Sequence, residues 1–201
     1  MSDDKITAKI KRERQVNTFA ELRHANTVLL DNAREQRNGC SYEFMTVILL
    51  AAFKLEAYLN HVGELLFPYW DEMESLSIRS KLEIIRQHVG LPNTNGARPF
   101  QTITPLFRFR NAIAHGKSEF LETGTEETGT IEELRRRKPL TKWEEWNTLE
   151  FAVRATADIN DVIETIHAAA GLNSDDLRLM GHAYTMYDRK PAGKTTPEST
   201  R

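Results

Sequence analysis

The chain has a single cysteine, Cys40, among 201 residues, which excludes a disulfide framework and a cysteine-based zinc site within one chain. Its longest apolar run, 47–53, is far shorter than the roughly 20 residues that a membrane-spanning helix requires. The amino-terminal segment is charged throughout and lacks the apolar stretch of a secretory signal. We therefore expect a cytoplasmic protein without membrane contact.

An excess of charge of one sign is also missing. Lys and Arg total 27 and Asp and Glu total 29, which gives a formal net charge of −2. Any contact with nucleic acid must therefore come from a local patch. The sequence has no glycine-rich phosphate loop, which argues against a nucleoside triphosphatase. Its histidines do not follow the spacing of metal ligands, so we expect neither a metal nor another cofactor.

The sequence also lacks sustained alternation of apolar and polar residues and tight hairpin signals, whereas helix caps and helix-ending residues are frequent. This pattern predicts an all-α fold, an up-and-down bundle of four or five helices. It divides the chain into a helical extension over 1–40, a bundle over 41–171, a short helix over 172–187 and a disordered tail over 188–201.

Particular residues mark these boundaries. Scattered apolar positions predict a long surface helix from Ile6 to about Gln36, and Ser41 is predicted to cap the next helix. Thr141 begins a capping-box pattern, which predicts a helix that continues to about Ala170. The short carboxy-terminal helix is predicted from the spacing of Leu177, Met180, Tyr184 and Tyr187.

Arg110 lies within the apolar face of a helix predicted from Pro99 to His115. Burial of an unpaired guanidinium costs several kcal/mol, so we expect a partner or a solvated pocket. Glu56 lies within the apolar stripe of an earlier helix, and an Arg110–Glu56 ion pair resolves both anomalies. Such a pair is equally compatible with a purely structural role.

The other side of this helix is polar, because Arg108, Asn111 and His115 follow one another at i, i+3 and i+7. Arg110 and His115 are about 140° apart around the helix axis, so one helix does not direct both groups ideally at a single atom. A second copy across a two-fold axis would bring two such pairs into one cleft, and we expect a homodimer.

The segment Arg-Asn-x-x-x-His followed by Gly, at 110–116, resembles the signature of HEPN domains, and the resemblance extends over about 41–170. The inward Glu56 on the preceding helix and the Trp-bearing helix after the motif also resemble the family layout. The resemblance implies a dimerising helical bundle and, in many members, metal-independent RNA cleavage in toxins or phage defence. It places Arg110, Asn111 and His115 at the active-site positions.

These residue types fit the cleavage of RNA to a 2′,3′-cyclic phosphate. Histidine exchanges protons near neutral pH, and the dipole at a helix carboxy terminus favours the protonated form, so His115 suits the role of acid. Arg110 supplies fixed charge for the phosphate, and Asn111 orients the phosphate or the histidine. Arg108 and Lys117 flank the motif and are predicted to bind neighbouring phosphates.

Other interpretations remain open at this point. The chain could be a catalytically inactive HEPN-like module that binds a partner protein or a nucleotide, which its acidic net charge favours. It could also be a toxin held inactive by an antitoxin or another regulatory protein. His115 alone fits a helix-capping role. The basic run 135–138 fits either a solvent-exposed segment leading into a helix or an RNA contact.

Overall fold

Apolar spacing and local capping signals produce helices over most of the chain. The computed structural model describes residues 8–35, 37–92 and 96–189. Asn17–Leu179 forms one compact unit, and the terminal segments on either side of it form a second. The predicted all-helical bundle is confirmed for the larger unit.

The α-helices of the larger unit are α1 Thr18–Ala33, α2 Cys40–Leu66, α3 Trp70–Met73, α4 Ile78–His88, α5 Ile103–Ala114, α6 Ile131–Arg136 and α7 Leu149–Ala169. Short 3-10 turns lie at Phe100–Thr102, Glu144–Trp146 and Ser174–Arg178. The second unit is an antiparallel ribbon of β1 (Ala8–Arg14) and β2 (Ala183–Arg189), in which Ala8 lies opposite Arg189.

Helix α2 lies at the centre of the larger unit and packs against α1, α4, α5 and α7. Its fully buried residues include Val47, Ala51, Ala52, Leu55 and Leu59. These residues lie on more than one face, as expected of a core helix, and the small alanines allow close helix packing. Helix α2 is therefore the frame on which α5 is held.

Helix α4 follows directly from its sequence signals. Ser77 caps it by accepting a hydrogen bond from the Ser80 backbone N–H at 3.1 Å. Leu82 and Ile85 are buried on its inner face, and Gly90 adopts a positive φ of 72° just beyond its end. The outer face of α4 is left to form one wall of a cleft.

The predicted long helix from Ile6 to Gln36 is wrong in its first part. Residues 8–14 form β1, and helix α1 begins only at Thr18. Ile10 is the large apolar residue of this strand and is 45% exposed, so the segment has no apolar stripe to bury as a helix. Residues 1–7 and Gln36 lie outside the described part of the chain.

The predicted helix over 172–187 is also wrong. Residues Ser174–Arg178 form a 3-10 turn that buries Leu177, and β2 follows from Ala183. Tyr184 and its neighbours are good strand formers, and their pairing with β1 depends on a segment distant in sequence. The disordered tail predicted for 188–201 is wrong for residues 188–189, which belong to β2. Residues 190–201 lie outside the described part of the chain.

Two predicted helix starts are displaced. Helix α2 begins at Cys40 after Gly39, whose φ of 87° is left-handed, so Ser41 is not the cap. The capping box of Thr141 forms, since its backbone N–H donates to Glu144 at 2.9 Å, but only a 3-10 turn follows. Helix α7 starts later and is capped by Thr148.

An ion pair between the exposed Arg98 and the buried Asp158 fixes the start of α5 against α7. The Asp158 carboxylate accepts hydrogen bonds from Arg98 Nε at 3.0 Å and from Thr102 Oγ1 at 2.5 Å. Burial alone would raise the pKa of Asp158, but the hydrogen bonds from Arg98 and Thr102 hold this pKa below its ordinary value. The residues leading into α5 are thereby anchored to the core.

A buried lysine joins α1, α2 and α7. Lys54 Nζ donates to Asn26 Oδ1 at 3.1 Å and to Asn160 Oδ1 at 2.8 Å, and the side chain has no solvent exposure. Both partners are neutral amides, so they do not balance an ammonium charge. Burial, together with the positive charge of Arg23, lowers the pKa of Lys54 to about 7.

Candidate functional site

An open cleft of about 970 Å³ lies between α4 and α5. The α5 wall includes Phe107, Arg108, Arg110 and Asn111, and Glu56 reaches the cleft from α2. Three of the predicted site residues and the predicted supporting residue therefore line one cavity.

Arg110 is held from two sides in this cleft. Its Nη1 donates to Asn111 Oδ1 at 3.0 Å, and its Nη2 contacts Glu56 Oε2 at 3.4 Å. The guanidinium carbon lies 5.7 Å from the centroid of the Phe53 ring, within the range of a cation–π contact. The predicted Arg110–Glu56 ion pair is thus confirmed.

The Arg110–Glu56 pair positions the guanidinium more than it stabilises the fold. The side chains of Arg110 and Glu56 are 26% and 31% exposed, and such partly solvated pairs contribute at most about 1 kcal/mol. A guanidinium carries five N–H donors, and Arg110 Nε is buried without a hydrogen-bond partner among the described residues. The Arg110 guanidinium therefore keeps N–H donors that no described residue accepts.

Arg110 lies at the edge of the apolar face of α5 rather than at its centre. The buried residues of the helix are Ile103, Leu106 and Phe109. Phe109 was not assigned to the apolar face by the sequence, and its ring packs edge-on against Trp143 at 6.3 Å between centroids. Because Phe109 is buried, α5 is oriented about its axis so that Arg110 faces the cleft.

Asn111 is exposed, and its orientation follows from its neighbour. A guanidinium only donates hydrogen bonds, so the amide oxygen of Asn111 faces Arg110. The amide NH₂ is then directed away as a second donor. Arg110 and Asn111 together form a donor group suited to the oxygens of a phosphate.

His115 lies at a different place from Arg110. It is the C-cap residue of α5, its side chain is exposed, and it is not among the described residues that line the cleft. Its backbone N–H closes the helix by donating to the Asn111 carbonyl at 2.9 Å. One chain therefore brings Arg110, Asn111, Arg108 and Glu56 together without His115.

Lys117, the second predicted phosphate ligand, is exposed beyond the end of α5 and likewise lies outside the cleft wall. The intervening Gly116 permits the close turn, because a Cβ atom there would lie 2.9 Å from the Ala112 carbonyl oxygen. A side chain at this position would force the helix end to shift.

The electrostatics of the cleft favour an anion. Its charged lining consists of Arg79, Arg108, Arg110, Glu56 and Glu83. The Glu83 carboxylate is already bound by Arg86 at 2.5 Å and by Gln87 at 2.7 Å, and these hydrogen bonds lower its pKa. Since Glu56 is bound to Arg110, both carboxylates are engaged, whereas Arg79 and Arg108 add positive charge.

Phe53 and the α4 wall were not predicted as parts of the site. Phe53 precedes Glu56 by three residues on α2, so helical spacing places both on one face, and this spacing was a signal for its contact with Arg110. No comparable local signal brings Ser77, Arg79 or Gln87 to this cleft, because their position depends on how α4 packs against the bundle.

The basic run 135–138 is largely paired in the structure. Arg136 contacts Glu132 at 2.5 Å, and Arg137 contacts Glu127 at 2.8 Å. Lys138 likewise contacts a carboxylate, that of Glu144, at 2.8 Å. These contacts favour the interpretation of the run as a solvated, locally compensated surface.

Among the residues that the structure describes, no group of three or more metal-ligating side chains comes together. None of the described helices combines the length and the hydropathy needed to cross a bilayer.

Comparisons of the chain with family models, with curated proteins and with solved structures give no match. Any assignment of function consequently rests on the motif and on the geometry of the cleft.

Proposed function

We propose that the chain is a HEPN-type endoribonuclease that acts in the cytoplasm and cleaves RNA by transesterification without a metal ion. One observation carries the proposal: the Arg110 guanidinium is fixed by Glu56 and Asn111 and faces a cleft with a cationic lining. The motif residue is therefore placed where a phosphate can reach it.

In the proposed reaction, Arg110 and Asn111 bind the non-bridging oxygens of the scissile phosphate. A base removes the proton of the ribose 2′-OH, and the 2′-oxygen attacks phosphorus. The bond from phosphorus to the 5′-oxygen breaks, and the leaving oxygen takes a proton from an acid. The products are a 2′,3′-cyclic phosphate and a 5′-hydroxyl.

The exposed position of His115 leads us to propose a composite site. Because His115 does not line the cleft of its own chain, a second copy is needed to bring two imidazoles beside two Arg110 guanidiniums. One imidazole then acts as the base and the other as the acid. A homodimer is thus part of the proposal, and Arg108 and Lys117 would bind flanking phosphates.

The test is incubation of purified protein with total RNA in EDTA. We expect cleavage by the wild type, and a loss of at least about 100-fold in His115→Ala and in Arg110→Ala. Arg135→Ala, an exposed arginine outside the cleft, serves as the matched control and should cleave normally. Circular dichroism checks that each variant is folded.

A second candidate is a catalytically inactive module that binds a nucleotide or a partner protein in the same cleft. The exposure of His115 outside the cleft wall favours this alternative. It predicts intact RNA at high protein concentration, together with nucleotide binding that Arg110→Ala abolishes.

A toxin or phage-defence role under an antitoxin or regulatory protein is the proposed biological setting of the nuclease. Expression should then arrest growth, and His115→Ala should remove the arrest. Relief by the product of a neighbouring gene would identify the regulatory partner.

A further inference from the structure

The β1–β2 ribbon concentrates positive charge in a chain whose net charge is slightly negative. Four of the seven residues of β1 are basic, and the side chains of all four are exposed: Lys9, Lys11, Arg12 and Arg14. Glu13 is the acidic residue of this strand. The ribbon is thus the kind of local patch that the overall composition left possible.

Part of this charge is not compensated. Lys11 contacts Glu13, and Lys9 lies opposite Asp188 in the strand register, but Arg12 and Arg14 form no ion pair with any side chain that the structure describes. The basic run 135–138 differs, because three of its four charges contact Glu132, Glu127 and Glu144. The two basic segments therefore have similar composition and different electrostatics.

The ribbon also exposes an aromatic and apolar surface. Tyr184 is 61% exposed and Met186 is 56% exposed on β2. In the register of the two strands, Lys11 lies opposite Met186 and Glu13 lies opposite Tyr184. Because alternate residues share a face, Lys9 and Lys11 lie on the same face as Tyr184 and Met186.

We propose that the β1–β2 ribbon is a binding element for single-stranded RNA, in which the basic side chains contact phosphates and Tyr184 stacks on a base. Proteins that bind single strands combine a positive track along the backbone with exposed aromatic rings. This inference concerns residues other than those that line the cleft, and it does not depend on catalysis.

The distribution of charge over the two faces favours RNA over other partners. Lys9 and Lys11 lie on one face of the ribbon, and Arg12 and Arg14 lie on the other. A flat anionic membrane would contact only one face, whereas a flexible strand can follow the ribbon and reach both. Arg12 and Arg14 also oppose stacking of a second ribbon on their face.

The experiment measures binding of a short fluorescein-labelled polyuridine by fluorescence anisotropy, with the full chain in a His115→Ala background. The ribbon variant combines Lys9→Gln, Arg12→Gln and Arg14→Gln. The control variant combines Arg135→Gln, Arg136→Gln and Arg137→Gln, so both lose the same charge. We expect Kd to rise at least tenfold in the ribbon variant and less than twofold in the control.

Salt dependence gives an independent readout of the same contacts. Each phosphate contact on a single strand contributes about 0.7 to the slope of log K against log salt, so three lost contacts should reduce the slope by about 2. The control variant should keep the slope of the parent.

Three further variants separate binding from folding of the ribbon. Exchange of the basic types, with Lys9→Arg, Arg12→Lys and Arg14→Lys, keeps the charge and should keep the affinity within about threefold. Tyr184→Phe should bind as the parent does, and Tyr184→Leu, which keeps apolar bulk without a ring, should bind roughly fivefold more weakly.

The proposal is overturned if the ribbon and control variants weaken RNA binding equally, or if neither variant does. It is also overturned if the ribbon variant loses binding to anionic lipid vesicles, or changes its oligomeric mass, while its affinity for polyuridine stays unchanged. RNA binding that depends on the ribbon, in a chain that never cleaves RNA, would support this inference and contradict the nuclease.

Discussion

The side chains of Arg110 and Asn111 are hydrogen-bonded to each other: the Nη1 of the arginine donates to the amide oxygen of the asparagine at 3.0 Å. Two adjacent motif residues thus act as one donor group, with the Asn111 NH₂ directed outward. This arrangement gives the asparagine a role that a generic polar residue would not fill.

Asn111→Asp tests this role. The carboxylate still accepts from Arg110, but it has no NH₂ donor and places negative charge beside the phosphate. We expect RNA cleavage to fall by about 100-fold, since loss of one transition-state donor has an effect of this order. The position is exposed, so the free energy of unfolding should change by less than about 0.5 kcal/mol. Activity within a few fold of wild type would contradict the role.

Dimerisation is tested by a charge on the exposed side of α5. Ala112 is exposed between Asn111 and His115, so Ala112→Glu should disrupt a two-fold contact in this region. We expect the mass measured by light scattering to fall from dimer to monomer and cleavage to fall with it. Ala168→Glu, at an exposed alanine of α7, is the matched control. A monomeric wild type that cleaves RNA would refute the composite site.

Lys54 should make stability depend on pH above neutrality. The folded pKa of Lys54 is lowered to about 7 from 10.5, so between these values the unfolded state binds more protons. Stability therefore rises with pH in this window, with a slope approaching about 1.4 kcal/mol per pH unit.

Urea unfolding at several pH values between 7 and 9 measures this slope. Lys54→Met removes the titrating group while keeping most of the buried volume, and it should flatten the slope and raise stability at pH 7. An equal slope in the wild type and the variant would assign the effect to other groups.

Asp158 should give a dependence of the same sign, but in the acid range. Its folded pKa is lowered, so its contribution is present above the unfolded pKa and is lost as pH falls through the folded value. Asp158→Asn should destabilise the chain by roughly 1–3 kcal/mol near neutral pH, because the hydrogen bonds from Arg98 and Thr102 then no longer reach a buried carboxylate. Thermal unfolding at neutral and acid pH measures both effects, and the variant should show the smaller loss in acid.

Local signals predicted the elements that surround the cleft. The spacing of Ile78, Leu82 and Ile85 predicts the helix observed as α4, and Pro99 with Gly116 brackets α5. The Arg110–Glu56 pair was predictable because each charge lies within an apolar stripe, and two such anomalies are resolved together.

Features that depend on distant pairing could not be predicted. The β1–β2 ribbon joins the two ends of the described chain, so neither strand carries a complete signal of its own. Lys54 had no visible partner in sequence, because Asn26 and Asn160 come from two other helices. His115 lies on the same face of α5 as Asn111 but one turn further along, at the C-cap, and where the cleft ends along α5 depends on how α4 packs against the bundle.

The product of the reaction tests the central claim most directly. An oligoribonucleotide of defined sequence is incubated with the protein in EDTA, and the masses of its fragments are measured by mass spectrometry. The account predicts fragments that end in a 2′,3′-cyclic phosphate, which is lighter by one water than a linear phosphate. It also predicts no cleavage where a 2′-deoxynucleotide replaces the ribonucleotide whose 2′-OH attacks. Intact RNA, or equal cleavage of the 2′-deoxy substrate, would contradict it.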